Sequence, residues 1–446
     1  MRKILAIIAT AVVVVAAGLA WFVNRTPSSP FEQVAAEKPS ADLVKHGEYV
    51  ARLGDCVACH STPKSAPFAG GLEMATPLGS IFTTNITPDK QAGIGNYTLA
   101  DFDRAVRKGV ARDGRRLYPA MPYPSYAKMS DDDIKALYAY FTTAVEPASQ
   151  PDKPSQIPSP LNMRWPLAVW NAVLTKSGTY SEEASKDALW NRGAYLVQGP
   201  GHCGACHTPR GPVMEERALD QGSALYLSGA DLDGWYAPSL RGDPNRGLGR
   251  WSEADIYSFL KNGRNGHAVV FGSMVDAYNN STQFMTDDDL KAIAHYLKSL
   301  PGDPDKDGTP WKYKGVQTVA FGKPAASPGA QIFMGKCSFC HGADGKGQNQ
   351  WIPPLAGATS SLAKSGVSQI NVVLNGSARI VDRGMPDTYR MPPFREQLSD
   401  QQIADVLSFV RSTWGNDGGS VKADDVKKLR DGTGPASSQP IILQMR

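Results

Sequence analysis

The 446-residue chain holds six cysteines, and none is scattered. They form three C-x-x-C pairs, Cys56 with Cys59, Cys203 with Cys206, and Cys337 with Cys340, each followed at once by a histidine: His60, His207 and His341. Two thiols one helical turn apart can add across the two vinyl groups of one porphyrin, and a histidine beside them then reaches the iron. C-x-x-C-H is therefore the attachment signature of haem c. A thioredoxin-like pair or half of a zinc ribbon would account for C-x-x-C but not for the histidine that follows each time. Three matches with no cysteine left over point to three covalently bound haems c.

What such a haem does turns on its second axial position, since a filled one gives electron transfer and an open one binds or activates ligands. Each repeat offers a sulfur downstream of its attachment motif. Met121 lies in Tyr118-Pro119-Ala120-Met121-Pro122-Tyr123, Met391 in Tyr389-Arg390-Met391-Pro392-Pro393-Phe394, and Met274 in Gly272-Ser273-Met274. Met385, also followed by proline, rivals Met391, and His267 is an alternative to Met274. Met129 and Met285 read as apolar staples, while Met163, Met214 and Met334 lie outside these loops. His46, His202 and His295 read as helix-surface or loop residues. Axial sulfur raises the potential relative to bis-histidine ligation, which suits electrons arriving from a low-potential donor. Groups around the proximal histidines should fix the imidazole N–H. Pro238, and Pro353 or Pro354, stand where they could offer a carbonyl.

The elements that must position these residues repeat with them. Helical stretches from Leu43 to Gly54 and from Ala188 to Gln198 lead into attachment motifs. Downstream of each motif stands a capping box with a hydrophobic staple: Met129-Ser130 with Asp133-Ile134, Met285-Thr286 with Asp289-Leu290, and Leu398-Ser399 with Gln402-Ile403. The helices that follow place Leu137 and Phe141, Ile293 and Leu297, and Val406 and Val410 on an apolar stripe, with Tyr140, Tyr296 and Phe409 in register. The pattern is helix, haem site, loop and closing helix each time, and no strand is required. Proline-rich stretches separate the repeats. The first contains apolar Leu167-Ala168-Val169-Trp170, which should pack rather than float.

Arg2 and Lys3 precede an uncharged run from Ile4 to Val23, closed by Arg25. Its length fits the about 20 residues that span a bilayer better than the about 7 to 15 of a cleaved signal core. Trp21 suits a membrane interface. This favours a retained anchor over a cleaved signal, and either one places the rest of the chain on the periplasmic side, where haem c is attached. A net charge of +4 with no block of like charge excludes nucleic acid as a partner. Three haem units and two linkers use the whole chain, leaving no room for an internal dehydrogenase domain.

Phe68 to Thr98, Tyr118 to Tyr126, Gly201 to Gly211 and Arg411 to Asn416 resemble the triple-haem cytochrome c subunit of bacterial membrane-bound alcohol, aldehyde, gluconate, sorbitol and fructose dehydrogenases, a likeness spanning about residues 40 to 416. The resemblance implies a subunit that takes electrons from a separate catalytic subunit carrying PQQ, flavin or molybdopterin and passes them to ubiquinone in the cytoplasmic membrane. The six cysteines, three motif histidines and three methionines sit where the family pattern wants them. Many members carry a cleaved signal and meet the membrane through surface helices, and the anchor-like N-terminus here leans toward the aldehyde-oxidising, molybdopterin-type complexes. The expected fold is mainly α, with three tandem class I-like cytochrome c domains behind an N-terminal hydrophobic segment. The expected divisions are 1–30 signal or anchor, 40–148 first domain, 149–185 linker, 186–301 second domain, 302–327 linker, 328–416 third domain and 417–446 tail. Two other readings remain open: a haem enzyme with one open haem, and an independent periplasmic electron shuttle.

Overall fold

The computed structural model describes residues 2–34, 38–175, 178–232, 234–315, 327–381 and 389–436. They divide into two compact units, residues 1–51 with 59–181, and residues 52–58 with 182–446. The described residues are mainly helical and include two short hairpins that the sequence pattern does not require.

The N-terminal run forms α1 (Arg2–Asn24), 23 residues with none buried. At about 1.5 Å per residue it is long enough to cross the roughly 30 Å hydrocarbon core of a bilayer. Arg116 Nη2 ties its end to the first repeat, donating to the carbonyls of Val23 (3.3 Å) and Arg25 (2.9 Å). That repeat runs through α2 (Ala41–Leu53), α3 (Cys56–His60), the hairpin β1 (Glu73–Thr76) and β2 (Gly79–Phe82), α4 (Leu99–Lys108), α5 (Tyr123–Tyr126) and α6 (Asp131–Thr143). The first linker carries α7 (Pro166–Leu174), which packs on this repeat as its apolar content requires. Its Asn171 Oδ1 accepts from the Tyr123 hydroxyl at 2.6 Å, and Trp170 meets the Tyr123 ring edge-on.

The second unit repeats the plan twice. First come α8 (Ala188–Gln198), α9 (Gly204–His207), the hairpin β3 (Ala230–Leu232) and β4 (Trp235–Ala237), α10 (Glu253–Asn262), α11 (Met274–Asn280) and α12 (Asp287–Ser299), then α13 (Pro304–Asp307) in the linker. The last repeat has α14 (Pro328–Lys336), α15 (Ser338–His341), α16 (Thr359–Leu362), α17 (Val367–Asn375) and α18 (Asp400–Ser412), followed by α19 (Ala423–Gly432).

One crossing organises all three repeats. The helix before each attachment motif meets the closing helix at a glycine, where a Cβ would lie 1.9 Å from the Ala136 carbonyl oxygen (Gly47), 2.0 Å from that of Ala292 (Gly193) and 2.1 Å from that of Asp405 (Gly329). The next residue met at these glycines is Tyr140, Tyr296 and Phe409, each through its Cβ, which is where the aromatic residues stand in register. Ser130, Thr286 and Ser399 cap the closing helices as their sequence requires, each accepting from the backbone N–H three residues on. At Ser399 the Gln402 side chain completes the reciprocal half of the box. In the other two repeats the third-position carboxylate reaches across the crossing to the residue preceding the glycine: Asp133 to His46 Nε2 at 2.7 Å, and Asp289 to Arg192 at 2.7 and 2.8 Å. Thr286→Ala should therefore lower stability by about 1 kcal/mol, the usual cost of a lost cap. Denaturant unfolding checks this, and an unchanged midpoint would contradict it.

Residues 417–446, expected to be a tail, include the packed helix α19. Val426 of α19 is fully buried in the third core. Arg430 anchors the helix, donating to the Leu398 carbonyl (2.9 Å) and the Asp400 carboxylate (2.7 Å). The apolar cluster Ile441 to Leu443 lies outside the described residues.

Candidate haem sites

Each attachment motif occupies a short helix, so its two thiols face one side a single turn apart. None of the six cysteines is paired in a disulfide, so each pair is left for thioether formation. Burial pushes the Cys203 thiol up to about 12 and that of Cys337 up to about 11, with the neighbouring thiol of each pair adding to the shift. They stay protonated until chemistry consumes them.

The three motif histidines share one geometry. His60 Nδ1 lies 2.7 Å from the Thr84 carbonyl, His207 Nδ1 lies 2.7 Å from that of Pro238, and His341 Nδ1 lies 3.0 Å from that of Pro353. A carbonyl can only accept, so each imidazole carries its proton on Nδ1 and presents a bare Nε2 lone pair. Burial lowers the pKa of all three rings, only partly offset by that hydrogen bond, and so keeps them neutral as an iron ligand must be. Pro238 and Pro353 are the acceptors the sequence pointed to. Thr84 was not singled out, and no spacing rule could have found it, because the acceptor stands 24, 31 and 12 residues after its histidine in the three repeats.

The methionines are placed in different ways. Met121 sits in a tight turn, its N–H bonded to the Tyr118 carbonyl (3.2 Å) and its own carbonyl to the Tyr123 N–H (2.8 Å). Met274 is the first residue of α11 and packs against Val269, Val270, Val275, Tyr278 and Ile380. Met391 packs with Cys337 and Leu355 on the third core, so the structure brings an attachment cysteine and the expected sulfur to one cluster. Its rival Met385 lies outside the described residues. The alternative His267 stacks on Trp251, with ring centroids 5.2 Å apart, and faces the Asp255 carboxylate at 3.5 Å. His46 is paired with Asp133, His202 Nε2 lies 3.3 Å from the Gly54 carbonyl, and His295 meets Glu253 at 3.1 Å.

The surroundings fit a haem on a further count. Among the described residues, the Tyr226 hydroxyl and the indole N–H groups of Trp311 and Trp414 are buried without a hydrogen-bond partner. Leaving a donor so costs about 1–3 kcal/mol, a cost that a bound group with acceptor oxygens would remove.

Comparison with known proteins identifies the scaffold. The cytochrome c family model matches residues 191–301 and 326–414, the second and third repeats. The chain is 50% identical over 410 residues to the cytochrome c subunit of alcohol dehydrogenase (quinone) from Gluconacetobacter polyoxogenes, covering 90% of this chain and 88% of the relative. It belongs to the family of dehydrogenase cytochrome c subunits. The cytochrome c subunit of gluconate 2-dehydrogenase from Pantoea cypripedii is 49% identical, covering 90% of this chain and 92% of the relative. The fructose dehydrogenase cytochrome subunit of Gluconobacter japonicus is 36% identical, covering 92% and 86%. As a member of this family the chain carries covalently bound haem c and is an electron-transfer subunit rather than a catalytic one.

Proposed function

We propose that this chain carries three haems c and passes electrons from the catalytic subunit of a periplasm-facing dehydrogenase to ubiquinone, with α1 as its anchor in the cytoplasmic membrane. The observation that carries the count is the recurrence of one proximal geometry, a buried neutral imidazole fixed through Nδ1 directly after a C-x-x-C pair, at His60, His207 and His341. When bound, each haem accepts and gives one electron at a time. The protein's part is to hold it. Cys56 and Cys59, Cys203 and Cys206, and Cys337 and Cys340 form the thioethers. The motif histidines would each offer a nitrogen to the iron, and Met121, Met274 and Met391 would each offer a sulfur. His267 is already engaged by Trp251 and Asp255, which supports Met274 as the ligand.

The partner follows from the relatives' names, which join such a chain to alcohol dehydrogenase (quinone), gluconate 2-dehydrogenase and fructose dehydrogenase. Identities of 50% to the alcohol-linked and 49% to the gluconate-linked subunit are too close to choose between those substrates. Purification of the chain from detergent-solubilised membranes tests the proposal. The expected result is a larger subunit with its own PQQ, flavin or molybdopterin group, and a cytochrome whose intact mass exceeds the polypeptide by three haems. A chain that purifies alone and binds carbon monoxide at an open haem would overturn it in favour of a haem enzyme.

A further inference from the structure

We infer that Asn279 is a positioning residue shared by the loops that carry Met274 and Met391, so that the second and third axial-sulfur loops are set by one hydrogen-bonded strap. This rests on the proposed ligation by those two methionines. Asn279 lies on α11, the helix that Met274 opens, and is only 1% exposed. Its amide is used at both ends: Nδ2 donates to the Arg379 carbonyl at 3.0 Å, and Oδ1 accepts from the Val381 N–H at 3.0 Å. The side chain thus closes both hydrogen bonds of an extended backbone segment, as a neighbouring strand would. Gln283, one turn later, donates to the Val381 carbonyl at 2.9 Å and to the Asn279 carbonyl at 3.0 Å. Between the clamped peptides Ile380, 4% exposed, is pressed into Val270, Val275 and Tyr278, the cluster on which Met274 packs.

The other end of the segment holds Met391. Ser377, two residues before Arg379, accepts the Met391 N–H on its hydroxyl oxygen at 2.9 Å and donates its own N–H to the Met391 carbonyl at 3.0 Å. Arg390 Nε adds a bond to the Ser377 carbonyl at 3.1 Å. A continuous path therefore runs from Met274 along α11, through one buried amide and one extended segment, to the peptide of Met391. A buried amide with both ends paired has little freedom to move, because any shift leaves a donor or an acceptor unsatisfied. Replacing it by leucine keeps the volume and strands two peptide groups.

The test uses the purified holoprotein and two readouts that a merely structural tie would not move, the methionine-to-iron charge-transfer absorbance and the midpoint potentials. Asn279→Leu is expected to weaken that absorbance and shift the potential at both the second and third haems. Ser377→Ala should do so at the third alone. Ile134→Ala, a cavity under α6 of the first repeat where Ile134 is fully buried, should lower thermal stability and shift neither potential. If Asn279→Leu fails to load haem, Gln283→Leu is expected to give the same two-haem pattern at smaller amplitude. Potentials left unchanged in Asn279→Leu, or in Gln283→Leu where that variant is needed, would overturn the inference. Met274→His and Met391→His separate the two ideas: if those variants leave the spectrum unaltered, it is the ligand assignment that fails.

Discussion

Gly193→Val should cost at least about 3 kcal/mol of stability and abolish stable haem loading at the second site, among the largest effects of any single side chain in the molecule. The sign follows from two opposed terms. A glycine inside a helix is worth up to about 1 kcal/mol less than alanine, so propensity alone predicts that adding a methyl group stabilises α8. The crossing reverses this, because a Cβ on Gly193 would fall 2.0 Å from the Ala292 carbonyl oxygen and 2.7 Å from Tyr296 Cβ. Both are fixed parts of α12, and a packed interior gives way only by moving the whole helix. Even Gly193→Ala should therefore destabilise. Thermal unfolding of the purified protein, with haem content read from its absorbance, checks the prediction, and an unchanged midpoint would contradict it.

Met391→His should keep three haems attached but lower one midpoint potential, by on the order of 0.1 V or more, within the roughly 0.8 V over which axial ligands tune haem iron. A second imidazole replaces a weakly donating thioether and favours the ferric state. The loop itself should survive, since Ser377 holds the backbone of residue 391 rather than its side chain. Quinone reduction should slow because the low-potential haem is harder to reduce, so that the electron must travel uphill to reach it. A redox titration decides, and potentials unchanged from those of the unaltered protein would point to Met385 as the ligand.

Much of this was legible in the sequence for a definite physical reason. Thioether attachment demands its two cysteines and a histidine at fixed spacing, and helix starts demand an oxygen at the cap, so the C-x-x-C-H motifs and the caps at Ser130, Thr286 and Ser399 could be read directly. The capping boxes at Thr98 with Asp101 and at Ser252 with Asp255, which start α4 and α10, carried the same signal and went unread. Other features leave no local trace. The imidazole acceptors are backbone carbonyls, for which any residue type serves, as Thr84 shows beside two prolines. Gly47, Gly193 and Gly329 look like ordinary helix glycines until the partner helix is in place. The helix α19 leaves little trace in the tail, because its hold on the third repeat comes from Val426 and from Arg430 reaching backbone far away in sequence.

Electron transfer through the three haems is read directly by a rapid-mixing experiment on the purified complex, in which haem absorbance is followed after adding the dehydrogenase substrate and then a soluble ubiquinone analogue. Substrate is expected to reduce all three haems, and the quinone to reoxidise them at a rate matching turnover. Haems that stay oxidised while the catalytic subunit reduces an artificial dye, or that stay reduced when quinone is added, would contradict this route.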